Sequence, residues 1–312
     1  MNANALLPPD LPRADLLPAD LLPEEPRIDD APRQQMLTER FLLPALPELR
    51  ALLLHLRAQL DPALSERLGG DYPRGRCRDI ALALERALLE LAPESLPDAV
   101  AAGLVAFARF VEQGGSVRLV WGALRGQGLR HVFLFGTLCV DVATDSVMPG
   151  APQVAIMPVA QARLTPVHNH RQFALLMASQ LDARVYPNHV LPDLAPHAPL
   201  LMLVPGGSAR LEARSPYMLA LARRSGFTSS ADALGMKAMS HAMFNVVANT
   251  LAAAGFDVAD SAEEGKAAAL EACRQARDAR PRAAEAQEAA ALAALKRANR
   301  ALQILTVSAP RA

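Results

Sequence analysis

The sequence predicts an α+β fold: a small antiparallel sheet packed on a core helix, with additional helices on its N-terminal and C-terminal sides. Two observations predict it. Apolar residues recur at steps of three and four through 33–60, 77–91 and 99–113, the spacing of one buried helix face. The period then changes to short apolar runs over 117–124, 131–135 and 138–143, separated by glycine-containing turns. Sequential strands with short connections imply antiparallel pairing.

In chain order, residues 1–33 are rich in Pro, Asp and Leu, with Ala14-Asp15-Leu16-Leu17-Pro18 repeated as Ala19-Asp20-Leu21-Leu22-Pro23. Frequent proline forbids a continuous helix, so a disordered or loosely draped arm is expected. An α+β core is expected over 34–215 and a helical region over 216–312. Phe41, Leu42, Leu49, Leu52, Leu53, Leu56 and Leu60 form the first helical stripe, which Pro44 and Pro47 split into a short and a longer helix. Gly69-Gly70 ends it, and Gly114-Gly115 ends the 99–113 helix. A fourth strand is expected at 153–157 and another at 200–204, with a helix at 171–180 and a Pro- and His-containing loop at 186–199. Helices are expected from Pro216 to Arg224 and over 229–254, capped by Ser229 or Ser230. The Ala-rich stretch 261–305 divides at Pro281. Leu292, Leu295, Leu302 and Leu305 make a narrow stripe that suits docking on the body or self-association through the C-terminal helix.

Composition narrows the function classes. The chain has 312 residues, with 32 Lys+Arg against 32 Asp+Glu. Balanced charge argues against nucleic acid or an acidic membrane surface as partner. No window reaches the roughly 18 consecutive apolar residues of a membrane span. The start Met1-Asn2-Ala3-Asn4 lacks a basic stretch followed by an apolar run, so a cytoplasmic protein is expected. Three cysteines, Cys77, Cys139 and Cys273, do not make a disulfide framework and suit a reducing compartment.

The chemistry concentrates on Cys77, His131 and Asp141. The loop Tyr72-Pro73-Arg74-Gly75-Arg76 delivers Cys77 to a helix start. Free backbone N–H groups and the helix dipole favour a thiolate there, and Arg74, Arg76 and Arg78 add positive charge. A histidine within reach would activate the thiol and protonate the leaving group, and a carboxylate would orient the ring. His131 lies on the first strand of the Gly136 hairpin and Asp141 on the second. A loop centred on Gly136 puts His131 opposite Asp141, on one face. A two-residue Gly136-Thr137 turn puts them on opposite faces.

Gly75-Arg76-Cys77, the strand beginning His131-Val132-Phe133, and Val140-Asp141 resemble the transglutaminase-like and papain-like cysteine superfamily. Its members place a Cys at the start of a core helix, a His on a following strand and an Asp on the next. The resemblance spans about residues 70–160, a third of the chain. It implies amide acyl transfer through a Cys77 thioester, with a protein or peptide as substrate and no cofactor. Peptide cleavage, glutamine deamidation and cross-linking all stay open. No aromatic residue follows Cys77, where many members carry one. Gln127 and the Cys77 N–H are the candidate oxyanion donors.

Other readings stand beside it. The same residues suit an inactive core in an interaction protein that binds through its Pro/Leu arm and Ala-rich tail. Asp141 also suits a role in the turn near Asp145. His168 and His170, at i and i+2, would share a face on a strand and suggest a metal-dependent enzyme. No His-Glu-x-x-His or paired-Cys motif accompanies them.

Overall fold

The computed structural model describes residues 22–70, 72–91, 96–125, 128–211 and 216–308, with 281–284 described by backbone only. The chain is α+β and forms two compact units that divide between Pro166 and Val167. The expected boundary at 215/216 falls inside the second unit. The strands at 184–211 pair only among themselves, so they separate from the sheet that precedes them.

In the first unit, α1 (Ala31–Leu37) runs through a π-turn and a 3₁₀ turn into α2 (Leu46–Leu68). Pro44 and Pro47 sit at the first turns of the last two pieces, where a missing N–H removes no helix bond. Leu49, Leu52, Leu53 and Leu56 of α2 are fully buried. Helices α3 (Cys77–Glu90) and α4 (Asp98–Glu112) follow.

Strands β1 (Val117–Leu124), β2 (Leu129–Phe135), β3 (Leu138–Asp141) and β4 (Ala155–Pro158), helix α5 (Val159–Ala162) and strand β5 (Leu164–Thr165) complete the unit. The five-stranded sheet is antiparallel throughout, in the order β4-β3-β2-β1-β5. Side chains alternate across it. Phe133, Phe135, Val140 and Val142 join Leu52, Ile80, Leu84 and Phe107 of the helices. Val120, Val132, Leu134 and Cys139 point the other way, against Ala162, Leu164 and Ile28.

In the first unit two expectations are corrected, one on the arm and one on register. Residues 1–21 lie outside the described residues, but 22–33 are ordered against the sheet. Leu22 is buried, and the Trp121 N–H donates to Glu24 O at 2.7 Å. The Arg118 guanidinium donates to Arg27 O at 2.6 Å and Glu25 O at 3.0 Å. β5 pairs with β1 only at Ala123 and Leu124, so the segment finds backbone N–H groups farther along that edge.

The second concerns register. Phe135 pairs with Leu138, Leu134 with Cys139 and Phe133 with Val140. The β2–β3 connection is therefore the two-residue turn Gly136-Thr137, with Gly136 at φ 57. Tertiary contacts select it. The Thr38 hydroxyl accepts the Thr137 N–H at 3.1 Å, and a Cβ on Gly136 would collide with that hydroxyl.

In the second unit, α6 (His170–Leu181) precedes a three-stranded antiparallel sheet of β6 (Arg184–Pro187), β7 (Leu200–Leu203) and β8 (Ala209–Leu211). Helices α7 (Pro216–Arg224), α8 (Thr228–Leu234), α9 (His241–Ala253), α10 (Ala262–Asp278) and α11 (Pro281–Leu302) follow. The single helix expected over 229–254 is two. Gly235 ends α8, and the Ser240 hydroxyl caps α9 by accepting the Met243 N–H. Ser229 and Ser230 are not caps; they bond His170 and the Pro196 carbonyl. The α11 stripe is used inside the unit: Leu295 and Leu302 are buried with Phe244, Leu251 and Leu211, and Leu292 and Leu305 pack beside them. That face is therefore occupied, which removes the basis for self-association through it. No helix among the described residues is long and apolar enough to cross a membrane.

Candidate active site

Cys77 is the first residue of α3 and is half-buried. The loop before it is held by the Gly75 N–H, which donates to Ser146 O at 2.9 Å. β2 packs against α3 and carries His131 on the face that meets the helices. The Cys77 Sγ lies 4.0 Å from His131 Nδ1. The structure thus brings together two of the three residues singled out from sequence.

Asp141 is not with them. Constant register carried one step beyond the Phe133–Val140 pair sets Asp141 beside Val132, on the face of Cys139 and opposite to His131. Its Oδ1 accepts the Ala143 N–H at 2.9 Å, a local turn contact. Burial pushes the Asp141 carboxyl above the usual range, and its charge works against a thiolate at Cys77.

A different carboxylate meets the imidazole. Glu24 Oε2 lies 3.5 Å from His131 Nε2, and Glu24 Oε1 lies 3.8 Å from the Arg78 guanidinium. The first is an ion-pair distance rather than a hydrogen bond, and neither atom has a hydrogen-bond partner among the described residues. Trp121, opposite His131 in the β1–β2 register, places its ring centroid 6.3 Å from the imidazole.

The charges reinforce one another. Burial alone pushes the Cys77 thiol up, but the adjacent His131 outweighs it and the net shift is downward. Burial pushes His131 down, while Cys77 and Glu24 pull it up, and the net is upward. Burial raises Glu24, His131 and Arg78 lower it, and it ends below the ordinary carboxylate range. A carboxylate behind the imidazole and the imidazole beside the thiol form an arrangement that favours the thiolate. The other two thiols contrast: burial drives Cys139 up to about 12 and Cys273 up to about 11.

A second polar cluster braces the loop that delivers Cys77. Arg57 is fully buried. Its guanidinium donates to Asp61 at 2.9 Å, to Asp145 at 3.0 Å and to the Val142 carbonyl. Asp61 also accepts from the Tyr72 hydroxyl at 2.5 Å and Gln153 Nε2 at 2.8 Å. A cleft of about 460 Å³ opens beside it, lined by Tyr72, Pro73, Arg74, Asp145 and Gln153 among others. Arg57 stands within the Leu stripe of α2, so its burial was readable from sequence; its partners were not. Gln127, the side-chain oxyanion candidate, lies outside the described residues.

The metal alternative loses its premise. His168 is exposed in the link before α6 and His170 is buried at the helix start, so the two do not share a strand face. His170 Nδ1 is 2.8 Å from the Ser229 hydroxyl, and burial lowers its pKa to about 4. Among the described residues no group of three or more His, Cys, Asp or Glu is placed to hold a metal ion. Comparison of the chain with protein-family models, characterised proteins and solved structures returned no match.

Proposed function

We propose that the first unit carries out thiol-dependent acyl transfer at an amide, with Cys77 as nucleophile and His131 as base and acid. The supporting observation is the 4.0 Å approach of the Cys77 Sγ to His131 Nδ1 at the start of α3. The Cys77 proton passes to His131, and the sulfur attacks the amide carbonyl carbon. His131 gives the proton to the departing amine as the C–N bond breaks, leaving an acyl thioester on Cys77. Water or a second amine then attacks the thioester. It passes a proton to His131, and the thiolate–imidazolium pair is restored. The first N–H groups of α3 have no helix carbonyl to bond and suit the oxyanion. The substrate class is a protein or peptide amide.

The test uses the full chain with casein as amide donor and dansylcadaverine as acceptor. New peptide N-termini, released ammonia and amine incorporation are read in parallel. At least one is expected from the native protein and none from Cys77→Ala or His131→Ala. No product in any assay, with Cys77 labelled by iodoacetamide no faster than Cys139, would overturn the proposal.

A further inference from the structure

We infer that Glu24, carried by the N-terminal segment, is the positioning carboxylate of the Cys77–His131 pair, so that docking of residues 22–30 on β1 completes the site; this rests on the reading of Cys77 as nucleophile. Several independent observations carry it. The imidazole has two nitrogens, and Nδ1 faces the thiol. The group facing Nε2 fixes the ring's orientation and supports its charge. That group is Glu24, at 3.5 Å, while Asp141 points to the opposite face of the sheet. Glu24 Oε2 and His131 Nε2 are both buried and have no hydrogen-bond partner among the described residues, so the two answer each other.

The backbone adds a second line. Glu24 sits at φ 60, in the left-handed region that favours glycine. A glutamate kept there in contact with a candidate site is the kind of outlier that points to function. The third line is how the segment is held. Its polar anchors include the Trp121 N–H to Glu24 O, two Arg118 donations to Arg27 O and Glu25 O, and looser Arg78–Glu24 and Arg118–Asp29 contacts, with Leu22 buried and Ile28 packed beside them. None is covalent, and Arg118 provides three of them through one side chain. A partner or proteolytic event that lifts the segment off β1 would remove the carboxylate that supports the charged imidazole and so weaken the group that offsets burial at the thiol.

Glu24 acts on His131, and Asp141 of β3 acts on Cys77, while Arg78 and Glu85 of α3 interact with Glu24. Glu24 is the carboxylate within ion-pair distance of the ring. The pH–rate profile of Cys77 alkylation by iodoacetamide, read by peptide mass spectrometry on the full chain, separates the cases. In Glu24→Gln the imidazole beside the thiol loses the carboxylate that supports its charge, so the midpoint should move to higher pH and the rate at pH 7 fall about threefold to tenfold. Glu24→Asp should recover part of the loss. Arg118→Ala, with Glu24 intact, should move the profile the same way by loosening the segment. A Glu24→Gln profile that superimposes on the native one, while His131→Ala shifts it, overturns the Glu24 inference and leaves the nucleophile reading intact. If neither variant shifts the profile, the nucleophile reading itself fails. A native profile in Arg118→Ala refutes the dependence on docking.

Discussion

Selective alkylation of Cys77 follows most directly from the geometry. At pH 7, Cys139 at about 12 has a thiolate fraction of about 10⁻⁵ and Cys273 at about 11 about 10⁻⁴. Cys77 lies below its ordinary 9.0, so its fraction is at least about 10⁻². Intrinsic nucleophilicity falls with pKa at a Brønsted slope of about 0.4–0.5, which returns roughly a factor of 30 to Cys139 and 10 to Cys273. With Cys77 at its 9.0 ceiling, it should react at least about 30-fold faster than Cys139 and 10-fold faster than Cys273. Their near-complete burial widens the gap, because reagent must also reach the sulfur. The assay is iodoacetamide labelling of the folded chain at pH 7, with site occupancy followed by mass spectrometry. His131→Ala removes the partner that outweighs burial, so the Cys77 rate should fall by about tenfold or more. Equal, slow labelling of all three thiols, or an unchanged rate in His131→Ala, would refute the reasoning.

Three other outcomes are expected. Asp141→Asn should not raise the midpoint of the Cys77 profile, since the Asp141 charge opposes the thiolate; a rise matching that of Glu24→Gln would restore Asp141 as the orienting group. Arg57→Ala leaves Asp61 and Asp145 without their buried partner and should cost about 3–5 kcal/mol in urea unfolding, with a loss under 1 kcal/mol counting against the network as a brace. His170 has a pKa near 4 when folded against 6.5 when free, so its contribution is complete above 6.5 and lost as pH falls through 4. Unfolding free energy should drop by about 3 kcal/mol over that interval and should do so less in His170→Gln; parallel curves for the two proteins would show that His170 does not govern it.

Much of the fold was legible because it is local. Helix α3 begins at the residue where the Gly75 loop yields to an apolar stripe. The prolines at 44 and 47 mark their helix starts, and the change of period at 117 marks the sheet. Cys77 and His131 were legible for the same reason: each occupies a position, helix start or strand face, that chemistry recognises without its neighbours. Where side chains choose between equal local options, the sequence stops deciding. Gly136 suits the loop expected around it and the two-residue turn equally. Thr38, far away in the chain, selects the shorter turn by accepting the Thr137 N–H, and that one-residue change turns Asp141 away from His131.

Glu24 shows the limit most plainly. Pro23-Glu24-Glu25-Pro26 has neither helical nor strand periodicity, so nothing in the order of residues assigns it a place. Only the free edge of β1 and the Arg118 guanidinium give that segment somewhere to lie. The sequence by itself determined most of the element types and set Cys77 and His131 at positions suited to thiol chemistry, because backbone propensity and apolar spacing act over a few residues. The tertiary structure alone decided which carboxylate meets the imidazole, because edge pairing and strand register depend on contacts between residues a hundred positions apart.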